Sequence, residues 1–188
     1  ATLERSGYEP AAEPIPVARS GVVDLAALER MLAAKAEPAL VSVMAANNET
    51  GVIQPVTEAA RLAHEHGALC HCDAVQAAGK VITDFARLGA DLLTLSAHKL
   101  GGPAGVGALI VADHVHLAAR QRGGGQERGR RAGTENLPGI IGFGVAAEIA
   151  AAELDAAAKL AHLRDDLERR ALAAVPGAIV FGREAARL

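Results

Sequence analysis

Three short apolar runs, residues 39–45, 68–72 and 91–95, each break off into a polar cluster at their C-terminal end. Runs of this length bounded by polar residues read as buried strands, and Val41 and Val43 add β-branched character to the first. Residues 57–66 separate the first two with an amphipathic helical pattern that Gly67 closes as a C-cap. A short helical turn over 85–88 leads through Gly89 into the third. Upstream, Asp24 caps a helix running through Leu25, Leu28 and Leu32 at helical spacing. Strand, helix, strand, turn, strand in this order predicts an α/β fold with a mainly parallel sheet covered by helices. Such sheets bind ligands beyond the carboxyl ends of their strands. Asn48, Asp73, Ser96, His98 and Lys99 all fall just past those ends.

The stretch from Ser96 to Gly107 holds one lysine, flanked by a serine, a histidine and four glycines, and it ends in a further apolar run over 106–111. Lysine is the amine that holds a carbonyl cofactor as a Schiff base. Glycine lets the backbone turn tightly and approach a bound group. The plain alternative is a solvated lysine in a glycine loop.

The remainder bounds the answer. With 188 residues the chain suits one domain, or one and part of another. Hydrophobic residues make up 51% and aromatics 2%, so the core is built from Ala, Val, Leu and Ile. The net charge of −3 argues against a general nucleic-acid binder. No run has the length of a membrane span, and no signal peptide is evident. A soluble protein of a reducing compartment is the default reading. Position 1 is Ala, consistent with processing or with excision from a longer chain.

Residues 1–22 are interrupted by Pro10, Pro14 and Pro16, with Ile15, Pro16 and Val17 as a short edge strand. Residues 121–136 are polar, basic and glycine-rich, which also suits a disordered basic loop or a nucleic-acid patch. A helix follows from Leu137, with Ile140, Ile141, Val145 and Ile149 on one face. Another helical pattern runs over about 160–173, stopped by Val175, Pro176 and Gly177, and 178–181 read as a lone strand. The division expected is a partial cofactor domain over 1–155 and the start of an incomplete second domain over 156–188.

Cys70 and Cys72 share one strand face with His71 opposite, so they form no compact metal site and read as core residues. His64, Glu65 and His66 lack the spacing of a metalloprotease pair. His114 and His116 have no third ligand. Both groups read as solvated.

Four blocks in this order resemble the cysteine desulfurases of the class V aminotransferase family. They are Asn47 to Gly51; His71, Cys72, Asp73, Ala74, Val75, Gln76; Ser96, Ala97, His98, Lys99; and Gly123 to Asn136. The resemblance implies the fold type I large domain of pyridoxal 5′-phosphate (PLP) enzymes, with Lys99 as the catalytic, cofactor-holding amine. It implies Asp73 as partner of the ring nitrogen, with Asn48 and Gln76 near the phenolate oxygen. Ser96 and His98 look like phosphate ligands, and Thr134, after Gly133, matches the threonine that reaches the neighbouring subunit's phosphate. A carboxylate keeps the ring nitrogen protonated and the ring an electron sink. Plainer roles stand beside these: a helix cap for Asp73, and turn chemistry for Asn47 and Asn48.

The implied activity converts L-cysteine to L-alanine and an enzyme persulfide, in a cytoplasmic homodimer, with room for a sulfur-acceptor protein and no metal. The resemblance also implies features not seen here. These are a phosphate-cradling turn and a ring-stacking histidine before Ala1, and a carboxylate-binding arginine and nucleophilic cysteine after Leu188. Alternatives are an inactive PLP-binding or dimerising remnant, another class V aminotransferase, or a selenocysteine lyase.

Overall fold

The computed structural model describes residues 12–35 and 39–188. The early part of the proline-interrupted segment, Pro10 included, lies outside the described residues. Four strands form one sheet in the order β1-β2-β3-β4: β1 (Leu40–Met44), β2 (Leu69–Asp73), β3 (Leu92–Ser96) and β4 (Gly107–Val111). The first three are parallel, and β4 returns antiparallel to β3. This is the α/β architecture the alternating runs predict.

Helix α1 (Leu25–Ala33) starts where Asp24 accepts a hydrogen bond from the Ala27 N–H at 2.9 Å, satisfying a first-turn donor. Helix α2 (Val56–Glu65) ends at His66, and Gly67 turns the chain in the left-handed region at φ +70°. Helix α3 (Phe85–Leu88) is a single turn capped by Asp84. Leu28, Leu32, Leu62, Val41, Val43, Cys70, Cys72 and Leu93 form one core between α1, α2 and the sheet. Ala59, Ala60 and Ala63 are fully buried, and small side chains let α2 sit close to the strands.

The other sheet face carries Leu40, Ser42 and Met44 on β1, then His71 and Asp73 on β2. Both of those strands alternate buried and exposed positions, because successive side chains point to opposite faces.

Three expectations change. The 15–17 edge strand reduces to one bridge, Val17 to Val23, because Pro16 has no N–H to extend a ladder. Residues 178–180 form no strand and lie between glycines in the left-handed region, Gly177 and Gly182. Pairing occurs further on: Val52 bridges Arg187, and the Leu188 N–H donates to Gly51 O at 2.9 Å. Helix α5 (Leu154–Ala174) begins six residues before the apolar pattern does. Its first turns are alanine-rich, which favours helix without marking a face.

Helix α4 (Leu137–Ala152) is capped by Asn136, which accepts from the Gly139 N–H at 3.2 Å, and Pro138 sits in its first turn. Its Gly139 and Ala146 are buried, while Ile140, Ile141, Val145 and Ile149 face outward. No single helix among the described residues is long and apolar enough to cross a membrane.

Candidate active site

The carboxyl ends of β1, β2 and β3 lie side by side and deliver six of the seven singled-out residues. Beyond β1, the chain turns on Asn47, whose Oδ1 accepts from the Glu49 and Thr50 N–H groups at 2.9 Å each. Asn47 takes the turn role and leaves Asn48 exposed on the same turn, its Nδ2 donating to Glu49 at 2.8 Å.

Asp73 closes β2. Its backbone carbonyl accepts from the Ala45 N–H at 2.7 Å, which ties it to the end of β1. Thr94 of β3 is its direct neighbour on the other side. Asp73 Oδ1 accepts from the Val75 N–H at 3.0 Å, so the carboxylate caps a turn over 74–80 and not a helix. Gln76 sits half-buried in that turn, and its backbone carbonyl accepts from Lys80 Nζ at 2.8 Å.

Beyond β3 the chain enters a 3₁₀ turn, Ala97–Leu100, that ends at Gly101 in the left-handed region. Ala97 is buried while His98 and Lys99 are exposed. Ser96 Oγ and His98 Nδ1 lie 2.9 Å apart. A Cβ on Gly102 would come 3.0 Å from the Ala97 carbonyl and 3.1 Å from the Ala146 methyl, so glycine there lets α4 close on the lysine turn. Burial lowers the Lys80 ammonium below its usual value, and the nearby charge of Lys99 lowers it further. Two amines therefore share this corner.

Thr134 is not drawn to the strand ends. It is exposed on the basic loop, two residues before the α4 cap. In the same loop Glu127 and Arg128 hold left-handed backbone at φ 49° and 56°, a costly arrangement for residues with a Cβ.

Sequence reasoning passed over several groups. His71 bridges three strands: Nδ1 is 2.8 Å from Ser42 Oγ and Nε2 is 3.2 Å from Thr94 Oγ1. His64 and His114, read as solvated, both bind Asp91: His64 Nε2 lies 2.9 Å from Oδ2 and His114 Nε2 lies 2.8 Å from Oδ1. Asp91 is 2% exposed and also accepts from the Cys70 N–H at 2.6 Å. Only an acidic residue opening an apolar run hinted at it. Arg187 pairs with both oxygens of Glu168 at 2.5 and 3.0 Å. Cys70 and Cys72 are fully buried, as core residues should be.

Fold and site together define an α/β domain that sets an amine, a carboxylate, a hydroxyl and an imidazole at the carboxyl ends of a parallel sheet. A profile of the aminotransferase class-V family matches residues 5–188. A protein named cysteine desulfurase from Klebsiella pneumoniae is 48% identical over 180 residues, covering 96% of this chain and 44% of its own. Another of that name from Cereibacter sphaeroides is 51% identical over 174 residues, covering 93% of this chain and 44% of its own. The crystal structure of a NifS-like protein from Rickettsia africae superposes with a TM-score of 0.91 at 34% identity, covering 99% of this chain and 53% of the other. The chain belongs to the class V aminotransferase family. It spans about half the length of these relatives.

Enzymes of this family depend on PLP. The donor set fits that group: a primary amine for an aldehyde, a carboxylate for a ring nitrogen, and a hydroxyl with an imidazole for a phosphate.

Proposed function

We propose that this chain is the cofactor-holding part of a PLP-dependent cysteine desulfurase acting on L-cysteine. The observation that carries the reading is the convergence of Asp73, Ser96, His98 and Lys99 at adjacent strand ends, in a chain 48% identical to a protein of that name. When bound, PLP supplies an electron sink for charge developing at the amino acid Cα. Lys99 Nζ would hold the aldehyde and would carry a proton at the amino acid Cα. Asp73 accepts a hydrogen bond from the protonated ring nitrogen. Ser96 Oγ and His98 hold the phosphate, with Asn48 and Gln76 at the phenolate side. The products are L-alanine and a persulfide on an acceptor cysteine, which serves iron–sulfur assembly or other thio-cofactors. Cys70 and Cys72 are buried and do not fill that acceptor role.

The protein works as a cytoplasmic homodimer in this reading, with Thr134 reaching the partner's phosphate and a sulfur-acceptor protein downstream. The exposed apolar residues of α4 and the exposure of Thr134 support the dimer. Residues 1–155 belong to the cofactor domain and 156–188 to a second unit, a division supported by the helix break at Glu153. Incubation with PLP, borohydride reduction and peptide mapping test the core of the reading. A pyridoxyl label on Lys99 supports it, and a label elsewhere or none overturns it.

A further inference from the structure

The ring of His71 spans the exposed face of the sheet and occupies both its nitrogens. One meets the Ser42 hydroxyl of β1 at 2.8 Å and the other meets the Thr94 hydroxyl of β3 at 3.2 Å. A neutral imidazole has one donor and one acceptor, and a hydroxyl can serve either, so both contacts are satisfied without a charge. The strands it ties are those whose ends release the Asn48 turn, Asp73 and the Lys99 turn. Asp73 is two residues on, on the same face of β2, and Thr94 is the residue directly beside Asp73 in the parallel register.

His71 is also held short of its usual basicity. Burial lowers it, and the Asp73 carboxylate, pulling the other way, does not restore it. Of the three strands it touches, β1 presents Ser42 and β3 presents Thr94, and neither titrates. Asp73 on its own strand is the charged group facing it. A neutral ring beside Asp73 leaves that carboxylate uncompensated, whereas a cation there would compete for it.

We propose that His71 is a positioning residue for Asp73: through Ser42 and Thr94 it fixes three strand ends and presents Asp73 to a cationic ring nitrogen without a competing charge. This rests on the reading of Asp73 as the partner of the PLP ring.

The test measures PLP affinity of the 188-residue chain by absorbance, alongside circular-dichroism melts. His71→Ala weakens binding about tenfold, Ser42→Ala and Thr94→Val about threefold each, and neither adds to His71→Ala. Affinity of the unaltered chain falls as pH drops from about 7 to 5, in the range where imidazole gains its proton, and His71→Gln flattens that fall. A purely structural tie would not produce that pH-dependent difference. Should His71→Ala unfold, Ser42→Ala at its exposed site and Thr94→Val decide the matter. Affinities within twofold in those variants and an unchanged pH profile in His71→Gln, while Asp73→Asn loses binding, overturn the role of His71 and leave the proposed function standing. Unaltered binding in Asp73→Asn and Lys99→Ala overturns the proposed function itself.

Discussion

Ser96 Oγ and His98 Nδ1 stand 2.9 Å apart, on either side of the buried Ala97 and immediately before Lys99. The 3₁₀ turn makes this possible, because it folds residues two apart back over a buried small side chain. The pair thus sets a hydroxyl and a ring at the foot of the only lysine in the turn. A phosphate held there would gain hydrogen bonds to a charged group, worth about 1.5–3 kcal/mol each.

Ser96→Ala is therefore expected to weaken PLP binding by roughly tenfold, about 1.4 kcal/mol. Inorganic phosphate at increasing concentration should compete less well against PLP in that variant than in the unaltered chain. Equal competition in both would remove Ser96 from the phosphate site.

The strand ends were legible in the sequence because each apolar run stops at a polar residue, and a parallel sheet aligns such stops. Asp24 and Gly67 were legible because caps are local chemistry. His71, Asp91, His64 and His114 were not. Their partners lie 21 to 29 residues away, on elements whose register the sequence does not reveal. The Arg187 pair was no more legible, since its partner Glu168 lies 19 residues back, on α5. The 178–181 run failed as a strand because β propensity without a partner strand makes no ladder.

The Asp91 anchor predicts a pH-dependent stability. Burial would raise its carboxyl, but the Cys70 N–H, His64 and His114 together outweigh burial and hold it below the usual 3.8. A carboxylate with a lowered folded value stabilises fully above its unfolded value and loses that contribution as pH falls through the folded one. Asp91→Asn should cost about 2 kcal/mol at neutral pH, since the Cys70 N–H and two rings lose a charged acceptor. Urea unfolding would show the gap between the two proteins narrowing below pH 3.8. Asp91 opens β3 and Lys99 lies past its other end, so PLP affinity should not change. Equal stabilities at pH 7 would contradict the anchor.

The outward face of α4 predicts association. Ile141, Val145 and Ile149 are each more than half exposed, and Leu160, Leu163 and Leu167 of α5 are exposed as well. Large apolar side chains left exposed in such number mark an interface. Sedimentation should show a dimer at micromolar concentration, and Ile141→Arg should shift it toward monomer with little loss in the thermal melt. Retention of the dimer in Ile141→Arg would move the interface elsewhere.

Desulfuration needs a mobile thiolate that reaches the substrate sulfur and leaves carrying it. Neither cysteine of this chain can supply one. Both are fully buried, and burial first, then nearby negative groups, push Cys70 up to about 11 and Cys72 up to about 12. At neutral pH both therefore stay in the thiol form. Both also sit mid-sheet, on β2, which pairs with β1 on one side and β3 on the other. Near the C-terminus Arg183 is exposed, while two other arginines are engaged. Arg187 is committed to Glu168, and Arg164 donates to the backbone carbonyls of Arg187 and Leu188. We therefore expect a preparation of these 188 residues, given PLP, L-cysteine and a reductant, to release little sulfide. Thiol reagents should label Cys70 and Cys72 only as the protein unfolds. The measurement is sulfide and alanine, quantified together over many equivalents of enzyme. Sustained equimolar release that disappears in Cys72→Ser would overturn this expectation and make Cys72 the acceptor.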